Sequence, residues 1–204
     1  MAQLVYFPVR GRAEAIRLIM MDNDFAYEEV DAGDNWVEKW KPKMQFGQCP
    51  CFIDEDGFQL VQSNAILRHL GRKFGLYGDT DQEAAILDMM NAGVEDIRIQ
   101  YLKMIYQNYE EGKEPYIKDI PNKLQPFEKL LKPTNGYILG DKISWTDYNL
   151  FDLLDINNVL SPGCLDGFPA LKAFYESMLK RPGIQKRRDS EEFKKMKING
   201  NGKQ

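Results

Sequence analysis

Histidine is almost missing from this chain of 204 residues; the single one, His69, lies in the middle of an apolar helical pattern. One histidine excludes a multi-histidine metal centre and argues against a Ser-His-Asp triad. Cysteine is scarce too. Three residues, Cys49, Cys51 and Cys164, cannot all pair with one another, which disfavours a secreted disulfide framework. No run approaches the ~18 apolar residues a membrane span needs, and the N-terminus lacks the basic-then-apolar layout of a secretory signal. A cytoplasmic location is expected. What is present is ordinary for a globular protein: 43% hydrophobic and 28% charged residues, in a length that allows one large domain or two small ones.

The net charge of −4 is unevenly spread. Residues 180–204 carry nine Lys or Arg against three Asp or Glu, so the rest of the chain is acidic. No aromatics interleave with the basic end in a binding pattern, so a solvated C-terminal face is expected rather than a nucleic-acid surface. An acidic body argues further against a polyanionic partner.

Strand and helix signals alternate in the first third. Leu4-Val5-Tyr6-Phe7 suits a central strand stopped by Pro8, residues 12–21 place apolar side chains on one helical stripe, and residues 26–31 form a second strand. Such β-α-β spacing implies a parallel pair. An uncertain helical stretch spans residues 36–41. Two further strands flank Asp56-Gly57, a dipeptide suited to a type I′ hairpin, and Ser63 is the expected N-cap of a helix burying Ile66, Leu67, Leu70 and Phe74. This is a thioredoxin-like layout.

Strand signals stop at the turn-rich Gly75-Leu76-Tyr77-Gly78-Asp79. Beyond it Ile86, Met90, Val94, Ile97, Tyr101 and Met104 step at helical spacing, and Tyr116, Ile120, Leu124, Phe127 and Leu131 repeat the pattern. Pro121 and Pro126 predict a kink or split in that second helix. Ser144-Trp145-Thr146-Asp147 reads as a capping box opening the apolar helix 148–160, and Leu171, Phe174, Tyr175 and Met178 form one more stripe. The expected architecture is an α/β thioredoxin-like N-terminal domain, residues 1–77, joined to an all-α C-terminal domain, residues 80–204.

Several segments, in this order and spacing, resemble the cytosolic glutathione transferases of the pi class. They are Val5-Tyr6-Phe7-Pro8-Val9-Arg10-Gly11-Arg12, Gln62-Ser63-Asn64-Ala65-Ile66-Leu67-Arg68-His69-Leu70-Gly71, Gly93-Val94-Glu95-Asp96, Tyr106-Gln107-Asn108-Tyr109-Glu110 and Ser161-Pro162-Gly163-Cys164-Leu165-Asp166. The resemblance covers essentially the whole chain. It implies an enzyme that conjugates the thiolate of reduced glutathione to small hydrophobic electrophiles, a detoxifying reaction. It implies a homodimer without metal or cofactor, glutathione being a co-substrate, and no nucleic-acid or membrane partner.

Glutathione offers two carboxylates, an ammonium, two peptide units and a thiol that must be ionised to attack. By resemblance Tyr6 donates its phenolic hydrogen bond to the sulfur, and Arg12 supports the site electrostatically. The γ-glutamyl carboxylate is expected at Gln62 and Ser63, where a helix N-terminus favours an anion. The cysteinyl peptide is expected on the backbone of Cys49 before a cis Pro50, and the glycyl carboxylate near Trp36, Lys41 and Gln48. Asp96 would reach the ammonium of glutathione bound in the other subunit. Phe7, Val9, Leu102, Tyr106 and Gly200 would line the electrophile pocket, with Tyr106 a donor to a developing oxyanion.

Four departures stand out. Met44 occupies a place where many family members carry a reactive cysteine, and Phe46 stands at the interface aromatic position. Cys49 and Cys51 replace commoner residues around Pro50, and the stretch from Trp36 to Gln48 is one residue shorter than the usual pattern. A glutaredoxin-like thiol-disulfide oxidoreductase would need a cysteine after the first strand, where Tyr6 sits instead. A binding protein on the same fold is the non-enzyme alternative.

Overall fold

Strand β1 (Ala2–Tyr6) carries the apolar run predicted for a central strand, and in the computed structural model it lies inside a four-stranded sheet of order β2-β1-β3-β4. The structure describes residues 1–33 and 35–204. β1 pairs in parallel with β2 (Tyr27–Asp31), the crossover being α1 (Glu14–Asp22), and antiparallel with β3 (Cys51–Ile53), which pairs with β4 (Gln59–Val61). Alternation along β1 sends Leu4 to one face and Val5 to the other. Leu4 joins the large core shared by the helices, whereas Val5 meets Ala32, Met44, Cys51 and Val61, roofed by Phe7, Trp36 and Trp40. That smaller cluster underlies the site.

The turn before β4 departs from the expected type I′ hairpin. Only Gly57, at φ +86°, is left-handed, and the chain closes through the Gly57 N–H to the Asp54 carbonyl at 3.0 Å. Asp54 and Asp56 side chains take the amides of Glu55 and Phe58. These local bonds favour a longer loop with one left-handed residue over a two-residue turn.

Helices supply the rest: α2 (Ser63–Lys73), α3 (Asp81–Gln107), α4 (Tyr109–Leu131), α5 (Trp145–Leu160), α6 (Pro169–Leu179), α7 (Pro182–Asp189) and α8 (Glu191–Lys195). All the described strands precede α2. On α3 the buried stripe begins at Leu87, and Ile86 is exposed, one residue off the expected phase. α4 is not split, although Pro115, Pro121 and Pro126 all lie within it. A helix-interior proline costs ~3 kcal/mol. Burial of Tyr116, Ile120, Leu124, Phe127 and Leu131 on both sides of these prolines offsets that at ~1.5–3 kcal/mol each. The capping box holds: the Asp147 carboxylate accepts the Ser144 N–H at 2.7 Å.

The C-terminal basic face is not wholly solvated. Arg187 is 2% exposed and donates twice to Glu14 at 3.0 Å, and Arg181 and Arg188 reach back to Asp22 and Asp155. Arg10, after β1, likewise joins Asp155 at 2.7 Å and Asp152 at 3.2 Å on α5. Arginine suits such paired burial because its fork satisfies two acceptors at once.

Candidate active site

β1 ends at Tyr6, and the chain returns through a short helical turn, Gly11–Ala13, before α1. The return brings the Arg12 amide onto the tyrosine: its N–H donates to Tyr6 Oη at 3.1 Å. Burial pushes the phenol above its ordinary value of 10.0, outweighing that amide, and the nearby Cys49 and Tyr106 act in the same direction. At neutral pH the phenol is therefore protonated, with its oxygen already accepting one bond. Its hydrogen is what it has to give.

The Arg12 side chain turns the other way. Its Nε donates to Ser63 Oγ at 3.1 Å, and its Nη2 pairs with Glu95 on α3. Burial alone would raise the Glu95 carboxyl; the guanidinium groups of Arg12 and Arg98 more than reverse this and hold it below its usual range. Arg12 is thus a fixed cation, not a free surface arginine.

Ser63 is the first residue of α2, and Gln62, not Ser63, is its N-cap. The Ser63 hydroxyl is engaged by Arg12, and no side chain caps the first turn of α2. Gln62 adopts φ +72°, a left-handed conformation costly for a residue with a side chain, and donates to Gln48 Oε1 at 2.9 Å. Strain of this kind gathers at ligand sites.

These residues enclose a cavity of about 380 Å³ lined by Phe7, Arg12, Trp36, Gly47, Gln48, Cys49, Pro50, Gln62 and Ser63. The Cys49-Pro50 bond is cis. The uncertain stretch after β2 is a wide helical turn, Trp36–Trp40, followed by a tighter one, Lys41–Lys43. Trp36 packs edge-on to Phe7, with ring centroids 5.5 Å apart. Lys41 is exposed, and its stem runs along Gly47 at the cavity edge. Gly47 and Glu95 were not singled out from sequence. The sequence marks them only by a glycine next to Gln48 and an acid three residues before Arg98.

Of the expected electrophile residues, Val9 and Tyr106 meet the C-terminal segment that carries Gly200, and Phe7 lines the cavity. Tyr106 Oη accepts the Gly200 N–H at 2.9 Å, and Val9 bridges to Lys197. Leu102, half-buried, lies one helical turn before Tyr106 on α3. Asp96 lies elsewhere: it is exposed on the rim of an apolar groove between α3 and α4 formed by Met89, Gly93, Pro126, Phe127 and Leu130. Cys49, Cys51 and Cys164 are all free thiols. Among the described residues no cluster of three His, Cys, Asp or Glu side chains could hold a metal, and no helix is long and apolar enough to cross a membrane.

Comparison with known proteins shows the family. Residues 2–72 match the family model of the glutathione S-transferase N-terminal domain, and residues 95–191 that of the C-terminal domain. Glutathione S-transferase P of Homo sapiens is 50% identical over 206 residues, covering 98% of both chains, and Glutathione S-transferase P 1 of Bufo bufo is 48% identical over the same span. The solved pi-class glutathione S-transferase of Onchocerca volvulus superimposes with a TM-score of 0.94 at 44% identity, covering 100% of this chain and 99% of the other. The chain belongs to the glutathione S-transferase family and, within it, to the pi class.

Proposed function

We propose that this protein conjugates the thiolate of reduced glutathione to small hydrophobic electrophiles, with Tyr6 as the group that stabilises the thiolate. The observation that carries this is the Tyr6 hydroxyl, protonated by its burial and anchored by the N–H of Arg12, a residue that lines the cavity together with Cys49. A donor to the charged form of a thiol lowers its pKa, and holding the electrophile against the sulfur supplies the rest. Residues 1–77 bind glutathione; residues 80–204 supply the electrophile pocket and the dimer contacts.

Glutathione lies along the cavity in this reading. Its γ-glutamyl carboxylate meets the start of α2 at Gln62 and Ser63, where the uncapped turn and the neighbouring Arg12 favour an anion. The cysteinyl peptide pairs with the Cys49 backbone before Pro50, and the glycyl carboxylate meets Trp36, Lys41 and Gln48. The electrophile enters beside Phe7, Val9, Leu102, Tyr106 and Gly200. The Tyr106 oxygen accepts from Gly200, which leaves its proton to stabilise a developing oxyanion. A chromogenic aryl halide assayed with and without glutathione tests the reading, alongside a disulfide-reduction assay. Glutathione-independent turnover, or disulfide reduction alone, would overturn it.

The working form is a cytoplasmic homodimer. Phe46 is 69% exposed, and the groove that Asp96 borders is apolar, so the aromatic ring of one subunit fits the groove of the other and brings Asp96 near the partner's glutathione ammonium. Phe46→Ser should weaken the dimer by about 2 kcal/mol, the size of a central aromatic anchor, and activity should fall with it. Sedimentation showing a wild-type dimer with full activity would contradict this.

Cys49 provides a chemical probe of the same cavity. Burial pushes its thiol up to about 11, so little thiolate exists at neutral pH. Alkylation should therefore inactivate slowly at pH 7 and roughly tenfold faster per pH unit up to about pH 10. Bound glutathione should protect, and Cys49→Ala should resist. Equal inactivation of Cys49→Ala would move the sensitive thiol elsewhere, with Cys51 the next candidate.

A further inference from the structure

Two tyrosine hydroxyls, those of Tyr6 and Tyr106, are both tied to one stretch of chain near the C-terminus. Tyr106 is tied directly, through the Gly200 N–H. Tyr6 is tied through the loop that follows β1. There the Arg10 N–H donates to the Lys197 carbonyl at 2.8 Å and the Gly11 N–H to the Ile198 carbonyl at 2.9 Å. The loop's own carbonyls are taken by Arg17, which donates to Val9 at 2.9 Å and Arg10 at 3.3 Å. The loop is held from both sides.

Its next residue sets the tyrosine. Gly11 has φ +43°, and a Cβ there would stand 2.5 Å from Tyr6 Oη, far inside van der Waals contact. The phenol therefore rests against the Gly11 backbone while the adjoining Arg12 N–H holds its oxygen. A shift of a few tenths of an ångström in this loop passes straight to the hydroxyl. The C-terminal stretch is itself fixed by Asn199, 2% exposed, whose Nδ2 donates to Tyr101 Oη at 2.8 Å and to the Lys203 carbonyl at 2.7 Å.

We propose that residues 197–199 are a positioning element of the reaction: they hold the loop that aims the Tyr6 hydroxyl, and Asn199 is the side chain that keeps them in place. This rests on the reading of Tyr6 as the thiolate donor. Asn199, buried and bonded to Tyr101 and Lys203, acts through Gly11 and Arg12.

The test compares full-length wild type, Asn199→Ala, Asn199→Ser, Gly11→Ala and Tyr6→Phe. The readouts are the pKa of bound glutathione, from its thiolate absorbance, the pH profile of kcat/KM, and folding by circular dichroism. Asn199→Ala and Gly11→Ala should raise the bound thiol's pKa by about half to one unit. Each should lower kcat/KM near pH 6.5 by roughly threefold to tenfold, with the KM for glutathione within about twofold. A wild-type thiol pKa in both folded variants overturns the proposal, provided Tyr6→Phe raises it. If Tyr6→Phe leaves the pKa unchanged, the role of Tyr6 itself falls. Should Asn199→Ala and Asn199→Ser both lose their fold, the segment is a structural support alone, and the proposal is equally overturned.

Discussion

Tyr6→Phe is expected to conjugate tenfold to a hundredfold more slowly at neutral pH while binding glutathione nearly as well as wild type. The substitution removes one hydrogen bond to a charged group, worth ~1.5–3 kcal/mol, and leaves the ring that Phe7 packs against. The lost bond exists only with the thiolate, so the deficit belongs in kcat and in the thiol's pKa rather than in binding. The sign is definite. Loss of the donor raises the bound thiol's pKa, so the mutant should recover activity as pH rises towards that value, where thiolate forms unaided. A mutant with a wild-type thiol pKa would remove Tyr6 from the mechanism.

The largest effect on stability is expected at Glu14, which no ligand touches in the proposed reaction. Its carboxylate lies fully buried between Arg187, at 3.0 Å through both Nε and Nη2, and Arg17 at 3.3 Å. Glu14→Gln keeps the shape and leaves two buried guanidinium groups short of a counter-charge. Breaking such an arrangement costs ~3–5 kcal/mol. Burial alone would raise the Glu14 carboxyl; the hydrogen bond and charge of Arg187, then the charge of Arg17, outweigh it and hold it below 4.5. A depressed carboxylate contributes fully above its unfolded-state value and loses that contribution as pH falls through the folded-state value. The wild type should therefore lose stability below about pH 4.5, and Glu14→Gln should show less of that loss. Urea unfolding at pH 7 that differs from wild type by under about 1 kcal/mol would refute the expectation.

The sequence was most readable where one local signal dominated. The apolar run of β1, the acid and serine opening α5, and the helical stripe through Tyr116 and Leu131 all stand as read. It misled where a longer-range term won. The prolines of α4 forecast a break, yet the core-facing side chains around them bury enough surface to keep one helix. Ser63 looked like a cap until Arg12 claimed its hydroxyl from 51 positions away. The basic C-terminus looked solvated because nothing local announces that Arg187 will meet Glu14, 173 residues earlier. The candidate site was legible through resemblance, since Arg12, Cys49 and Gln62 carry no local mark of their shared cavity. Glu95 and Gly11 lie within segments that carry the resemblance, but their roles are contacts with other side chains, which spacing does not record.

The buried arginines also bear on how this protein can change over evolutionary time. Arg10 and Glu14 belong to the first eighty residues, while their partners Asp152, Asp155 and Arg187 belong to the last sixty. The two halves match separate family models, and that invites treating them as interchangeable parts. These pairs forbid free exchange. A chimera joining this N-terminal half to a C-terminal half with a neutral residue at position 187 would bury the Glu14 carboxylate with one of its cations missing. An exchange made between residues 72 and 95, where the two family models leave off and resume, is therefore expected to fold stably only when the incoming half carries the matching charges at positions 152, 155 and 187.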